Sequence, residues 1–220
     1  MILLDLDGVL VFEADPPFVS SREIILLHQN LEAEIAALGM PVVILTHRSQ
    51  REARQILAAT SLTVPTSLAA VIAAEDLFLA GIRYGPRRMF SHGLRKDLVL
   101  PALERRFSIH RSQIVFIDDR VDNLQDLLTA GLGLAIHAPS YLADDRQSLM
   151  TFDLADAFSA IRSWHRGASP AEMIRLQPRE LRMAPWRRTG LCTTSEKRHA
   201  FNTARQIART MRLGLLRRSD

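Results

Sequence analysis

The chain begins with an apolar run that leads straight into two carboxylates and a glycine: Met1, Ile2, Leu3, Leu4, Asp5, Leu6, Asp7, Gly8. Side chains on a strand alternate between its faces, so residues 5 and 7 project the same way. Two carboxylates on one side repel each other unless a cation or a shared proton relieves them. They converge only where the strand is ending, and Gly8 lets the chain turn there. This geometry suits a Mg²⁺ site, because Mg²⁺ prefers hard oxygen ligands and keeps positions open for phosphate and water. An ordinary acidic turn after a strand is the other reading of the same residues.

The rest of the first 140 residues alternates between strand and helix patterns. Ser20 and Glu23 have the spacing of a capping box, which predicts a helix running to about Leu38, stopped by Gly39 and Pro41. Val42 to Leu45 is a continuous apolar run of the kind found in buried parallel strands, and it ends in Thr46-His47-Arg48. Ser49 and Glu52 form a second capping box opening a helix to about Thr60. Between 61 and 95 the pattern is ambiguous: Leu68 to Ala74 fits a strand or a short helix, and Leu77 to Tyr84 fits a hairpin around Ala80-Gly81. Lys96 to Phe107 is helical in pattern, Ile114 to Ile117 is another strand running into Asp118-Asp119, Asn123 to Ala130 is helical, and Gly133 to Ile136 is a further strand.

Such alternation predicts an α/β, Rossmann-like three-layer sandwich with a mostly parallel sheet. Ligands in these folds sit beyond the carboxyl ends of the strands. Three of the strand ends carry residues suited to chemistry, namely Asp5 with Asp7, Thr46, and Asp118 with Asp119. Any one of them is compatible with a turn or a helix cap; several at one sheet edge make a site.

In this order and spacing the segments resemble the four motifs of the haloacid dehalogenase-like (HAD) superfamily. Asp5-Leu6-Asp7-Gly8-Val9 is similar to the first motif, Val42 to Thr46 to the second, Lys96 to the third, and Ile114 to Asn123, in the form Asp-Asp-x-x-x-Asn, to the fourth. The proline that often follows the family's lysine is Asp97 here. The resemblance covers roughly residues 1–140 and implies a Mg²⁺-dependent phosphoric monoester phosphatase. It implies Asp5 as nucleophile forming an aspartyl-phosphate, and Asp7 as the acid and base for the leaving group and water. Thr46 and Lys96 would contact the phosphoryl group. Asp5, the backbone carbonyl of Asp7, and Asp118 would hold the metal, with Asp119 and Asn123 orienting its surroundings. The acid at position 7 favours phosphate over halide, since the family's dehalogenases lack it. His47 and Arg48 follow Thr46 and are candidates for substrate contact. The interval from Gly8 to Val42 is short for a covering domain, so the expectation is a small or absent cap, with residues 11–20 as a flap and an open site suited to a large or partner-presented substrate.

Charge divides the chain. Residues 1–165 hold 15 Lys+Arg against 20 Asp+Glu, whereas 166–220 hold 13 against 4. The expected organisation is a catalytic domain over 1–165 and an appendage over 166–220. In the appendage, 166–194 reads as a linker rich in arginine and proline. Phe201, Ala204, Ile207, Met211 and Leu215 mark a basic amphipathic helix, a C-terminal helical extension. It suits packing on the body, oligomerisation, a membrane surface, or a nucleic acid or protein partner. A HAD-fold binding or regulatory protein with little turnover, engaging such a partner through the tail, is therefore the alternative function. The single cysteine, Cys192, excludes an intrachain disulfide and points to a reducing, cytoplasmic setting. The apolar start lacks the basic region of a signal peptide, and no stretch approaches the roughly 18 apolar residues of a membrane span.

Overall fold

The computed structural model describes residues 1–14, 23–60, 62, 68–143, 148–167 and 173–181. In chain order these residues form β1 (Ile2–Leu4), β2 (Val11–Ala14), β3 (Glu23–Leu26), α1 (Leu31–Ala36), β4 (Val42–Leu45), α2 (Gln50–Ala59), β5 (Ala70–Ile72), α3 (Ala74–Tyr84) and α4 (Pro86–His92). A 3₁₀ turn at Lys96–Val99 leads into α5 (Leu100–Phe107). Then come β6 (Val115–Asp118), α6 (Val121–Thr129), β7 (Leu134–His137), β8 (Tyr141–Leu142), β9 (Leu149–Thr151), α7 (Leu154–His165), β10 (Ile174–Arg175) and β11 (Arg179–Leu181).

Six strands make one parallel sheet in the order β10-β7-β6-β1-β4-β5. β1 lies inside it, with Leu3 opposite Val43 on one side and Phe116 on the other. Strand alternation divides the apolar runs between two cores. Ile2, Leu4, Ile44, Ile117 and Ile136 face one side, where Ile56 and Leu57 of α2 and Phe158 and Ile161 of α7 cover them. Leu3, Val43, Leu45, Phe116 and Ala135 face the other, under Leu77 of α3, Leu103 of α5 and Leu127 of α6. The result is the expected three-layer α/β sandwich. Its strands are apolar throughout because both faces are buried.

The capping box at Ser49 is present: its hydroxyl oxygen accepts from the Glu52 amide at 3.3 Å, and the Glu52 carboxylate accepts from the Ser49 amide at 3.2 Å. Three local expectations are corrected. Residues 23–26 are not helical; they form β3, which pairs antiparallel with β2. Ile24 and Ile25 are both fully buried because they serve two different cores, and adjacent buried residues blur the two-residue strand period. Helix remains only at α1. Leu77–Tyr84 is not a hairpin but part of α3. Gly81 is there for close packing rather than a turn, since an added Cβ would lie 2.5 Å from Met89 Sδ of α4. Nor are all of residues 166–194 linker: β10 extends the main sheet beside β7, and β11 joins β9 and β8 in a small antiparallel sheet. Leu149 and Leu181 of that sheet meet Ile25 and Leu27 in a third apolar cluster, which braces the β2–β3 hairpin. The insertion between β1 and β4 thus holds, among the described residues, one hairpin and one short helix. The tip of the expected flap, the capping box at Ser20, and the C-terminal amphipathic helix fall outside the described residues.

Candidate active site at the sheet's carboxyl edge

β1, β4 and β6 are adjacent or nearly so in the sheet, so their carboxyl ends deliver Asp5, Thr46 and Asp118 to one place. Backbone bonds fix the first two: the Asp5 amide donates to Ile117 O at 2.9 Å and the Thr46 amide to Ile72 O at 3.0 Å. Lys96 arrives from the turn before α5 and is buried to 2% exposure. Its Nζ lies 2.9 Å from Asp5 Oδ2 and 2.7 Å from Asp118 Oδ2, over the Phe116 ring at 5.1 Å from its centroid. Burial opposes a charged ammonium, but the two carboxylates outweigh it and hold the Lys96 pKa above its ordinary value.

Each carboxylate has further donors. Asp5 Oδ1 accepts from the Leu6 amide at 2.7 Å. Asp118 accepts from the Arg120 amide at 2.7 Å and from Asn123 Nδ2 at 3.0 Å. Asn123 sits in the first turn of α6, which is how the helix following β6 returns a donor to the strand end. Asp119 packs against Gly8. Gly8 has φ +75°, and a Cβ there would collide with the Asp119 carboxylate. The turn after β1 is therefore shaped around the acid that follows β6.

Ligand atoms of Asp5, Asp118 and Asp119 all lie within 4.8 Å of one another. Burial, and then the neighbouring Asp118 charge, push the Asp119 carboxyl up to about 7. Burial, against the pull of Lys96, likewise raises Asp5 well above the usual carboxylate range. Asp119 Oδ1 is buried without a hydrogen-bond partner. One ammonium among three crowded carboxylates leaves a deficit of positive charge, and an all-oxygen donor set with an unpartnered buried oxygen fits a hard divalent cation such as Mg²⁺.

Asp7 stands outside that cluster and turns to Arg48. The Arg48 Nε donates to Asp7 Oδ1 at 2.9 Å and Oδ2 at 2.8 Å, and Nη2 also donates to Asp7 Oδ1. Nη2 reaches Glu13 Oε2 of β2 at 3.1 Å as well. The Arg48 amide donates to Thr46 Oγ1 at 3.1 Å. His47 is directed to Leu94, its Nε2 lying 3.2 Å from the Leu94 carbonyl oxygen. Burial, then the Lys96 charge, lower its pKa to about 4, so it is neutral near pH 7. Of the residues singled out in the sequence, Asp5, Lys96, Asp118, Asp119 and Asn123 thus meet in one cluster. Thr46 touches its neighbour Arg48, and Asp7 borders the cluster in the grip of Arg48. Sequence reasoning missed the weight of Asp119 in the carboxylate cluster and the partnership of Arg48 with Asp7 and Glu13. A signal for Arg48 existed in its place two residues beyond Thr46 at a strand end; Glu13 had none beyond being an acid in an apolar hairpin.

No protein-family model and no curated protein matches the chain. Solved structures do. A HAD family hydrolase from Streptomyces avermitilis is 17% identical, with a TM-score of 0.40 over 62% of this chain and 69% of that one. A HAD-like phosphatase from Mesorhizobium loti is 22% identical, with a TM-score of 0.44 over 74% of this chain and 85% of its own. The 3-deoxy-D-manno-octulosonate 8-phosphate phosphatase of Moraxella catarrhalis, solved with magnesium, phosphate and sugar, is 18% identical, with a TM-score of 0.38 over 61% and 66%.

Proposed function

We propose that the chain is a Mg²⁺-dependent phosphatase that hydrolyses a phosphate monoester through a phospho-aspartate on Asp5. The observation that carries this reading is the gathering of Asp5, Lys96, Asp118 and Asp119 at one strand edge, with Lys96 Nζ within 2.9 Å of two of the acids. Asp5, Asp118 and Asp119, with the Asp7 backbone carbonyl, are the groups suited to hold the ion. Bound there, Mg²⁺ supplies Lewis-acid neutralisation of phosphoryl charge.

The chain's own residues account for the remaining steps. Asp5 attacks phosphorus, the ester P–O bond breaks, and its electron pair leaves on the alcohol oxygen, which takes a proton from Asp7. Water then attacks the phospho-aspartate and gives its proton to Asp7, and the P–O bond to Asp5 breaks to restore the carboxylate and release phosphate. Lys96 favours the ionised form of Asp5 and carries positive charge to where the phosphoryl group would approach. Thr46 offers a hydroxyl to the phosphoryl oxygens. Among the described residues, the insertion between β1 and β4 holds only a hairpin and one short helix, which supports an approach suited to a large or partner-presented substrate.

The test is phosphate release from nitrophenyl phosphate with Mg²⁺ present. The wild type turns over, whereas Asp5→Asn and EDTA-treated wild type do not. Turnover surviving both treatments overturns the mechanism.

A further inference from the structure

We propose that Arg48 is a positioning residue that fixes the orientation of the Asp7 carboxylate for proton transfer, with Glu13 of the hairpin as its second anchor; the proposal rests on the phosphatase reading above. The Arg48 side chain is only 2% exposed, yet Asp7 is 35% exposed at its side chain. A buried guanidinium is costly unless it is paired, and here the pairing is a fork. Nε contacts both Asp7 oxygens at 2.9 and 2.8 Å while Nη2 spans Asp7 and Glu13. Nη1 is buried with no partner. The guanidinium is therefore placed by its two acids rather than by saturation of its donors, and it stays there although one donor is unmet. The planar fork fixes a carboxylate in position and in plane, as a lysine point charge does not.

Three segments converge on this contact. Asp7 follows β1, Arg48 follows β4 and is tied back through its amide to Thr46 Oγ1 at 3.1 Å, and Glu13 lies in β2. Arg48 holds the Asp7 carboxylate while 35% of the Asp7 side chain stays exposed, and fixed geometry with access to the leaving oxygen is what a proton-transfer group needs. The same bridge ties the hairpin to the end of the sheet, so the position of Asp7 depends on the hairpin.

The experiment compares two esters. Nitrophenyl phosphate has a leaving group that departs without a proton, whereas an alkyl phosphate needs one. For Arg48→Gln, kcat/KM on the alkyl ester, which reports phosphorylation of Asp5 and not the later attack of water common to both esters, should fall by about 100-fold or more, within the range that a positioned acid contributes. The loss of kcat/KM on the nitrophenyl ester should be at least about tenfold smaller. Asp7→Asn should show the same leaving-group dependence, and the double variant should be no worse than Asp7→Asn alone. Equal losses of kcat/KM on both esters overturn the proposal and leave the phosphatase reading intact. A wild type that turns over neither ester overturns both. Should Arg48→Gln fail to fold, Arg48→Lys replaces it under the same criteria. The Arg48 Nε–H NMR signal should be protected in the wild type and exposed in Asp7→Asn; a signal unaffected by Asp7→Asn removes the contact on which the proposal stands.

Discussion

Replacing Lys96 by methionine keeps most of the side-chain volume and removes the charge. Lys96 Nζ stands 2.9 Å from Asp5 and 2.7 Å from Asp118, whose side chains are 8% and 0% exposed. Without it, two buried carboxylates face each other with Asp119 close by. Removing one partner of a buried ion pair costs about 3–5 kcal/mol, and for a chain of this size each kcal/mol moves Tm by about 2–4 °C. The expected fall is about 6–20 °C near pH 8 in EDTA, from the product of those two ranges. The loss has a ceiling, because a carboxyl can take up a proton. Asp5 is already raised by burial, and removing Lys96 raises it further. A carboxyl whose folded pKa is raised stabilises the fold at low pH and loses that contribution as pH rises. The fall should therefore be smaller at pH 5 than at pH 8. Adding Asp118→Asn to Lys96→Met should recover part of the loss, as coupled neighbours do. Thermal melts of the three proteins at the two pH values decide the matter. A fall of less than about 3 °C at pH 8, roughly 1 kcal/mol, or a larger fall at pH 5, would refute the reasoning.

Gly8→Ala should cost about 1–3 kcal/mol, because it combines a left-handed φ of +75° with a collision against Asp119. MgCl₂ should raise the Tm of the wild type, and Gly8→Ala should lose that rise with the displaced carboxylate; a variant that melts and responds like the wild type contradicts this. Glu104 accepts from Arg111 Nε at 2.9 Å and Nη2 at 2.6 Å, and these bonds lower its pKa to about 2. A depressed carboxylate stabilises the fold above the free group's range and loses that contribution in acid. The Tm gap between wild type and Glu104→Gln should hold above about pH 5 and close as the pH falls to about 2; a gap that persists into acid argues against the pairing.

The central strands were legible because their apolar runs are buried on both faces, and the site was legible because polar residues end those runs. Asp5, Thr46 and Asp118 needed only strand alternation and the rule that chemistry collects at carboxyl edges. The hairpin was hidden because Ile24 and Ile25 serve two cores at once, which mimics a helical stripe. α3 was hidden by Gly81, which reads as a turn but makes room for Met89. Arg48 was hidden for a different reason. Its partners lie 41 and 35 residues away, and one of them stands on the hairpin that the sequence pattern concealed.

β10 and β11 have a practical consequence for anyone trimming this chain. A shortened protein ending at α7 would keep every carboxylate of the cluster and still lose Ile174, the neighbour of Ile136 at the sheet's outer margin, and Leu181, a member of the cluster beneath the hairpin. Exposed Ile136 and an unsupported Ile25 would then meet water together. Solubility and the alignment of Asp7 would be damaged by a cut more than 150 residues downstream of it.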